Sequence, residues 1–366
     1  MKGKIRNPKS EIRKYKRILI VRLDRIGDVI LSTPVIRAVR DAYPDSHIAC
    51  MVRPYALDIV RGNPCLDEVI VYDKDAAHKS FWKTVRFAAD LRKKKFDLAI
   101  LLHPTNRTHL IAFLAGIPVR VGYDKKLSAL LTKRIPHTKQ LGLKHEVDYA
   151  LDMLRCVGIE PRDRKLCIPV HEESERKVKA VFASNGIRES DTVIAVHPGA
   201  SCPSKRWSAE RFARVADRLT EGYNAKVVII ASEKDRAFGD KVASLMKGPS
   251  LNLSGKTSVA DLASVLRRAK LFISNDSGPV HIACAVGTPV VDIFGRNDRG
   301  LSPRRWGPTG ANDVVIHKEV GCEVCLAHNC KLGFKCLDAI TVDEVVEAGE
   351  RILRVPGTGY RGPGSK

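Results

Sequence analysis

The stretch Arg17-Ile-Leu-Ile-Val21-Arg22-Leu-Asp24-Arg25-Ile-Gly27-Asp28-Val-Ile-Leu-Ser-Thr-Pro34 decides the fold. Its β-branched run Ile18 to Val21 predicts a buried strand, Asp24 to Gly27 a turn, and Asp28 to about Ala42 an amphipathic helix. That is one strand-turn-helix unit of a parallel sheet. The rhythm continues with strands near Ile48 to Val52, Val69 to Tyr72, Leu98 to Leu102 and Val119 to Gly122, separated by helical patterns at Tyr55 to Arg61, Phe81 to Lys93 and Thr108 to Ala115. Alternation of this kind, with strands apolar on both faces, predicts an α/β doubly wound sheet.

A helical pattern from Glu146 to Val157 leads into a segment rich in Pro and charge, Gly158 to Val170, read here as a linker. Alternation then restarts with helix Glu173 to Ser184, strand Val193 to Val196, helix Ala209 to Glu221, strand Ala225 to Ile230 and helix Lys234 to Met246. Helix Val259 to Arg268, strand Leu271 to Ser274, helix Pro279 to Val286 and strand Val290 to Phe294 follow. The expected organisation is a basic mobile tail (1–16), two Rossmann-like domains (17–170 and 171–354) and a disordered Gly/Pro-rich tail (355–366). At 366 residues, with roughly 100 to 200 residues per domain, the length fits.

Composition narrows the function classes. The chain is 44% hydrophobic and 28% charged, which is that of a folded soluble protein, and no apolar run is long enough to span a bilayer. No signal peptide is legible at the Lys/Arg-rich start, so a cytosolic protein with reduced cysteines is expected. The net charge is +22, of which residues 1–170 carry +16. Such a field attracts nucleic acid, an anionic bilayer or a phosphorylated substrate without choosing among them. Only 6% of residues are aromatic and no DNA-reading motif is present, which argues against a nucleic-acid binder.

In paired Rossmann-like domains a ligand lies in the cleft at the carboxyl ends of the strands, so the turns there carry the information. No G-x-G-x-x-G follows any strand, which argues against a nicotinamide dehydrogenase. In Ser274-Asn-Asp276-Ser277-Gly278-Pro279-Val-His281 a strand ends in small polar residues and Gly278-Pro279 opens a helix, so exposed amides can cradle a diphosphate. A plain helix cap by Asp276 or Ser277 is the alternative reading. Asp276 would hold backbone amides or a sugar hydroxyl, and His281 would reach the ligand or simply pack. In His197-Pro-Gly199-Ala200-Ser201-Cys-Pro-Ser204-Lys205-Arg-Trp207, Gly199 allows close backbone approach, Ser201 offers a hydroxyl and Lys205 a point charge; Ser208 then caps the next helix. Glu233, at another strand end, suits a ribose. Cys322, Cys325, Cys330 and Cys336, with His328 among them, contain one zinc-like pair, and bound zinc, free thiols and disulfides all remain open.

These segments together resemble the ADP-heptose:lipopolysaccharide heptosyltransferases, glycosyltransferase family 9. The landmarks are the opening stretch to Pro34, His197 to Ala200 with Ser204 to Trp207, Ser274 to Pro279 with His281, and Gly287-Thr-Pro-Val290, and they cover about Arg17 to Val346. The resemblance implies a GT-B fold, ADP-heptose in the C-terminal domain, an acceptor in the N-terminal domain, and inverting transfer of heptose to the lipopolysaccharide inner core. It makes Asp28 the general base and Lys205 the diphosphate lysine. Ala200, Ser201, Glu233, Thr257, Asp276, Ser277, Gly278 and His281 match donor-binding positions, and Arg22, Arg25 and Gly27 fall on the acceptor side. Lys205 and backbone amides would carry the leaving-group charge, so no divalent metal is demanded. The expected place of action is the cytoplasmic face of the inner membrane, with an anionic membrane surface as partner and no nucleic acid. Two departures loosen the donor assignment: Ala200-Ser201 where some members carry two hydroxyls, and Gly295-Arg-Asn-Asp-Arg-Gly300 where a shorter Pro-Thr-Asp link is expected. A related transferase using another sugar nucleotide is the runner-up.

Overall fold

In the computed structural model, which describes residues 15–322, 325 and 327–355, the apolar runs assemble into two parallel sheets of six strands. The first holds β1 (Arg17–Val21), β2 (His47–Val52), β3 (Glu68–Val71), β4 (Leu98–Leu101), β5 (Val119–Tyr123) and β6 (Lys133–Ile135) in the order β3-β2-β1-β4-β5-β6. The second holds β7 (Val193–His197), β8 (Lys226–Ile229), β9 (Ser250–Asn252), β10 (Leu271–Asn275), β11 (Val290–Phe294) and β12 (Val314–His317) in the order β12-β11-β10-β7-β8-β9. Each sheet reverses winding between its first and fourth strands, at β1/β4 and at β7/β10. Those two switch points are where ligands bind in doubly wound sheets.

β1, β4, β7, β10 and β11 are almost wholly buried, as strands covered by helices on both faces must be. The two domains share an apolar core that runs from Ile18 and Ile20 through Val29 and Ile30 to Val280, Ile282 and Val290. The helix Ile26–Ile30 packs directly on the helix Gly278–Val286, so the cleft floor is a contact between one helix of each domain. Gly287 ends the latter helix in the left-handed region at φ 82°, a conformation that glycine adopts without strain. The connecting segment after helix Glu146–Arg155 has no regular element before helix Glu172–Ser184, yet it is anchored: Cys167 N donates to Thr33 Oγ1 at 3.0 Å and Leu166 and Ile168 are buried.

Three expectations need correction. The helix read from Asp28 to Ala42 is two helices, Ile26–Ile30 and Thr33–Ala42. Pro34 brings no N–H to bond the Ile30 carbonyl, which instead accepts from Thr33 Oγ1 at 2.7 Å, while Ser32 Oγ takes the Asp28 carbonyl at 2.8 Å. The tail read as 1–16 ends sooner: Tyr15 is buried against Tyr43, and Lys16 N donates to Asp97 at 2.7 Å. Residues 1–14, and the C-terminal tail from 356 on, lie outside the described residues. Finally, edge strands β6, β9 and β12 and the helix Val342–Leu353 extend the elements read from sequence.

Candidate active site

The N-terminal face of the cleft is built on one buried cation. Arg22 follows β1 and is 2% exposed. Its Nε lies 2.7 Å from Asp24 Oδ1, its Nη2 2.6 Å from Asp28 Oδ1 and 3.1 Å from Glu146 Oε1, and Nη1 donates to the Leu102 carbonyl after β4 at 3.0 Å. Arg22 thus ties both strands of the switch point to three carboxylates. Burial opposes its charge, but Asp24, Asp28 and Glu146 hold it more firmly protonated than usual. Asp28 itself stands in the first turn of helix Ile26–Ile30 with a side chain 16% exposed, so Arg22 fixes Oδ1 while the carboxylate still reaches the cleft. Burial pushes Asp24 up to about 7 against the pull of Arg22. His103, 3.6 Å from Asp24, is pushed down to about 4 by burial and by Arg22. Arg25 is exposed.

Glu146 is the residue that sequence reasoning did not single out. It is 1% exposed and collects Arg22, Lys139 and, across the cleft, Arg305, whose Nη2 and Nε lie 2.8 and 3.0 Å from Oε2. Burial alone would raise its pKa, yet the three cations draw it down to about 2. Burial lowers Lys139 to about 8. His145, which caps the helix Glu146–Arg155, also crosses between domains, pairing with the Gly307 carbonyl at 2.9 Å.

The C-terminal face is the opposite in sign. Lys205 Nζ lies 2.7 Å from Asp276 Oδ2, and Arg296 Nη2 2.8 Å from the same oxygen. Asp276 therefore holds two cations rather than helix amides, which corrects the amide reading of it and leaves the sugar-hydroxyl reading as it stood. Nor does Ser277 cap its helix: its Oγ meets Ser274 Oγ at 3.1 Å and His197 Nδ1 at 3.3 Å, leaving the amides of the helix Gly278–Val286 uncapped by that side chain. Burial lowers His197 to about 4, so it is neutral. Asn275, fully buried, stitches the two loops together by donating to the Pro198 carbonyl at 2.8 Å and accepting from Trp207 N at 3.0 Å.

Arg296 comes from the segment that departs from the resemblance. It is 5% exposed and adopts φ 64°, a left-handed conformation costly for a residue with a side chain. Its ion pair with Asp276 is the structural return for that strain. Behind it, both oxygens of fully buried Asp292 lack hydrogen-bond partners, and burial, with Asp276 next, raises its pKa well above the usual range.

Around this centre, Ala200 is buried with its carbonyl bonded by Arg206 at 2.9 Å, and Ser201 and Glu233 are exposed, Glu233 lying over Gly255. Thr257 is half-buried between β9 and the helix Val259–Arg268. The two faces meet at His281, 4% exposed and lowered to about 4 first by burial. A Cβ on Gly27 would come within 2.9 Å of its Cδ2 and 3.4 Å of Gly278 Cα, so glycine lets the two domains touch here. His281 packs against the acceptor-side turn, and the charges of Asp276, Asp28 and Lys205 all bear on it.

Cys322, Cys325, Cys330 and Cys336 line one cavity of about 290 Å³ that also touches Ser204 and Arg296. All four thiols are free, and among the described residues no group of three or more His, Cys, Asp or Glu is arranged to hold a metal ion. Disulfides are therefore not what the structure contains.

Two Rossmann-like domains facing each other through such switch points form the GT-B fold of a glycosyltransferase. The chain belongs to glycosyltransferase family 9 (heptosyltransferase), whose model matches residues 84–335. It is 27% identical over 335 residues to lipopolysaccharide heptosyltransferase 3 of Escherichia coli K12, covering 89% of this chain and 95% of that one. Among solved structures, a family 9 glycosyltransferase from Veillonella parvula DSM 2008 superposes with a TM-score of 0.85 at 31% identity, covering 92% and 97%. The E. coli heptosyltransferase WaaC with ADP superposes at 0.70 and 18% identity, covering 92% and 99%, a likeness of fold.

Proposed function

We propose that this enzyme transfers a heptose from ADP-heptose to the inner core of lipopolysaccharide, with inversion at the anomeric carbon. The observation that supports the reading is the contact of Gly27 with His281 and Gly278, at a histidine on which the charges of both Asp28 and Lys205 bear. Residues 17–170 would bind the acceptor, with Arg22, Arg25 and Gly27 on its side, and residues 171–354 the donor.

In the reaction, the acceptor hydroxyl oxygen attacks the anomeric carbon as its proton passes to Asp28. The bond from that carbon to the diphosphate oxygen breaks on the opposite side, and ADP leaves with the electron pair. Arg22 orients the base by holding Oδ1, which leaves Oδ2 to take the proton. Charge on the departing diphosphate is met by Lys205 and by the amides at Ser277-Gly278, so the chemistry asks for no divalent metal. Donor binding releases Lys205 in part from Asp276; Arg296 remains to hold that carboxylate. Ala200, Ser201, Glu233 and Thr257 would line the donor, Glu233 at the ribose. A relative solved with ADP supports the adenine nucleotide.

No cofactor is required by this reaction; zinc and free thiols are the two readings of Cys322, Cys325, Cys330 and Cys336, and the zinc content of purified protein, one per chain or far below it, decides between them. The proposed place of action is the cytoplasmic face of the inner membrane; no helix among the described residues is long and apolar enough to cross it. Incubation with ADP-heptose and truncated lipopolysaccharide cores should yield a heptosylated product. Transfer from a different sugar nucleotide instead would overturn the donor, and ADP binding no tighter than UDP by calorimetry would do the same.

A further inference from the structure

We infer that the start of the helix Phe81–Lys93 is a surface on which the acceptor-side domain docks to an anionic phospholipid bilayer, an inference that rests on the proposed lipid-borne acceptor. Phe81 is 59% and Trp82 76% exposed, and their rings meet edge to face at 5.6 Å. The helix turns Thr84, Ala88 and Leu91 inward, so this aromatic pair plays no part in its packing. Exposed Trp beside Phe is an arrangement suited to the interface between headgroups and acyl chains.

Charge around the pair selects an anionic surface. Lys74, Lys79, Lys83 and Arg86 are exposed and form no ion pair among the described residues. The two carboxylates of the preceding loop are already engaged: Asp73 accepts from the amides of Asp75 and Ala76, and Asp75 pairs with Arg53. Cations flanking an aromatic pair are what an anionic bilayer attracts and then holds.

Position links the patch to the proposed reaction. The loop leaves the carboxyl end of β3, on the same rim as the Asp28 turn. Arg53, paired with Asp75, lies over the Tyr55 ring at 4.9 Å, and Tyr55 OH donates to the Asp24 carbonyl at 2.7 Å. A domain resting on this rim would hold the cleft mouth beside the membrane, where sugars projecting from a lipid anchor reach Asp28.

The full chain is tested with phosphatidylglycerol-containing vesicles and with pure phosphatidylcholine vesicles. Of the three tryptophans Trp82 is the exposed one, Trp207 being buried and Trp306 half-buried, so a blue shift of emission on anionic vesicles reports insertion. Phe81→Ser with Trp82→Ser should weaken co-sedimentation about tenfold. Lys79→Glu with Lys83→Glu should weaken it at low salt, and both variants should bind ADP as wild type does, which shows them folded. Transfer to vesicle-embedded acceptor should fall in both, with transfer to a delipidated core oligosaccharide unchanged. Vesicle binding unchanged in both variants would overturn the inference. So would binding abolished by removing residues 1–14 yet indifferent to Phe81 and Trp82, or variants that lose only a dimer. Vesicle binding through the patch without any heptosyl transfer would sink the proposed function and leave the docking surface standing.

Discussion

The two switch points share one topology and oppose each other in chemistry. At β1/β4 a five-residue helix and a buried arginine organise carboxylates; at β7/β10 a nine-residue helix starts beside a lysine and an arginine that converge on one carboxylate, Asp276. Strand order decides where a site lies, and the residues just past each strand decide which charge it attracts. The proposed transfer needs both signs at once, since in it one wall removes a proton while the other accepts a departing diphosphate. On that proposal, placing them on two domains keeps the base apart from the cation that serves the leaving group.

The sharpest way to break this division is Asp28→Asn. The amide keeps the size and still offers an oxygen to Arg22 but cannot take a proton, so turnover should fall on the order of 10²- to 10⁴-fold while ADP affinity is unchanged. Turnover within a few-fold of wild type would remove Asp28 from the role. Asp24→Asn is not a silent comparison, because Asp24 shares Arg22 with Asp28 at 2.7 Å; a smaller loss is expected there. On the donor wall, Lys205→Ala should cost on the order of 10²-fold in turnover and, unlike Asp28→Asn, weaken ADP in calorimetry. A variant that binds ADP as tightly as wild type would show the helix amides sufficient for the diphosphate.

Glu146 tests how the walls are coupled. Glu146→Gln removes the anion shared by Arg22, Lys139 and Arg305, and a turnover loss of about tenfold, smaller than for Asp28, is expected from a displaced Arg22. Acid stability gives a second readout. A carboxylate held at about 2 instead of its ordinary 4.5 adds stability that is full above pH 4.5 and lost as pH falls toward 2. The unfolding midpoint of wild type should therefore drop more steeply than that of Glu146→Gln across that window, and parallel curves would refute the coupling. The smallest effect is expected at Glu233, whose side chain is 72% exposed: Glu233→Ala should weaken ADP only about fivefold, the scale of one solvated hydrogen bond.

Much of the fold was legible because buried parallel strands are continuous apolar runs. β11 and the helices Phe81–Lys93 and Val259–Arg268 were read to the residue. Of the strands passed over, all sheet edges, β6 and β9 are partly exposed and short, and their Lys-Arg-Ile and Ser-Leu-Asn have no apolar run to detect, whereas β12 carries a legible run, Val314-Val-Ile316. The helix Val342–Leu353 did carry a readable start, since Thr341 and Glu344 form a capping box. Along the cleft, the turns at Asp28, Lys205 and Gly278 stood out because a strand end, a small residue and a helix start are adjacent in sequence.

Two doubly wound domains, the placement of the informative turns and the excess of positive charge could all be read along the chain, because each follows from local periodicity or from counting. Which charges pair depends on the fold. Glu146 and Arg305 are 159 positions apart, and nothing local marks either. Likewise Asp276 meets Arg296 through a left-handed kink that no propensity favours, and Gly27 matters because His281, from the other domain, occupies the space a side chain would need. Burial sets the energetic weight of such contacts, and burial belongs to the assembled molecule: a glutamate among three cations in water is a weakly bound ion, whereas the same glutamate 1% exposed is fixed in charge and in place.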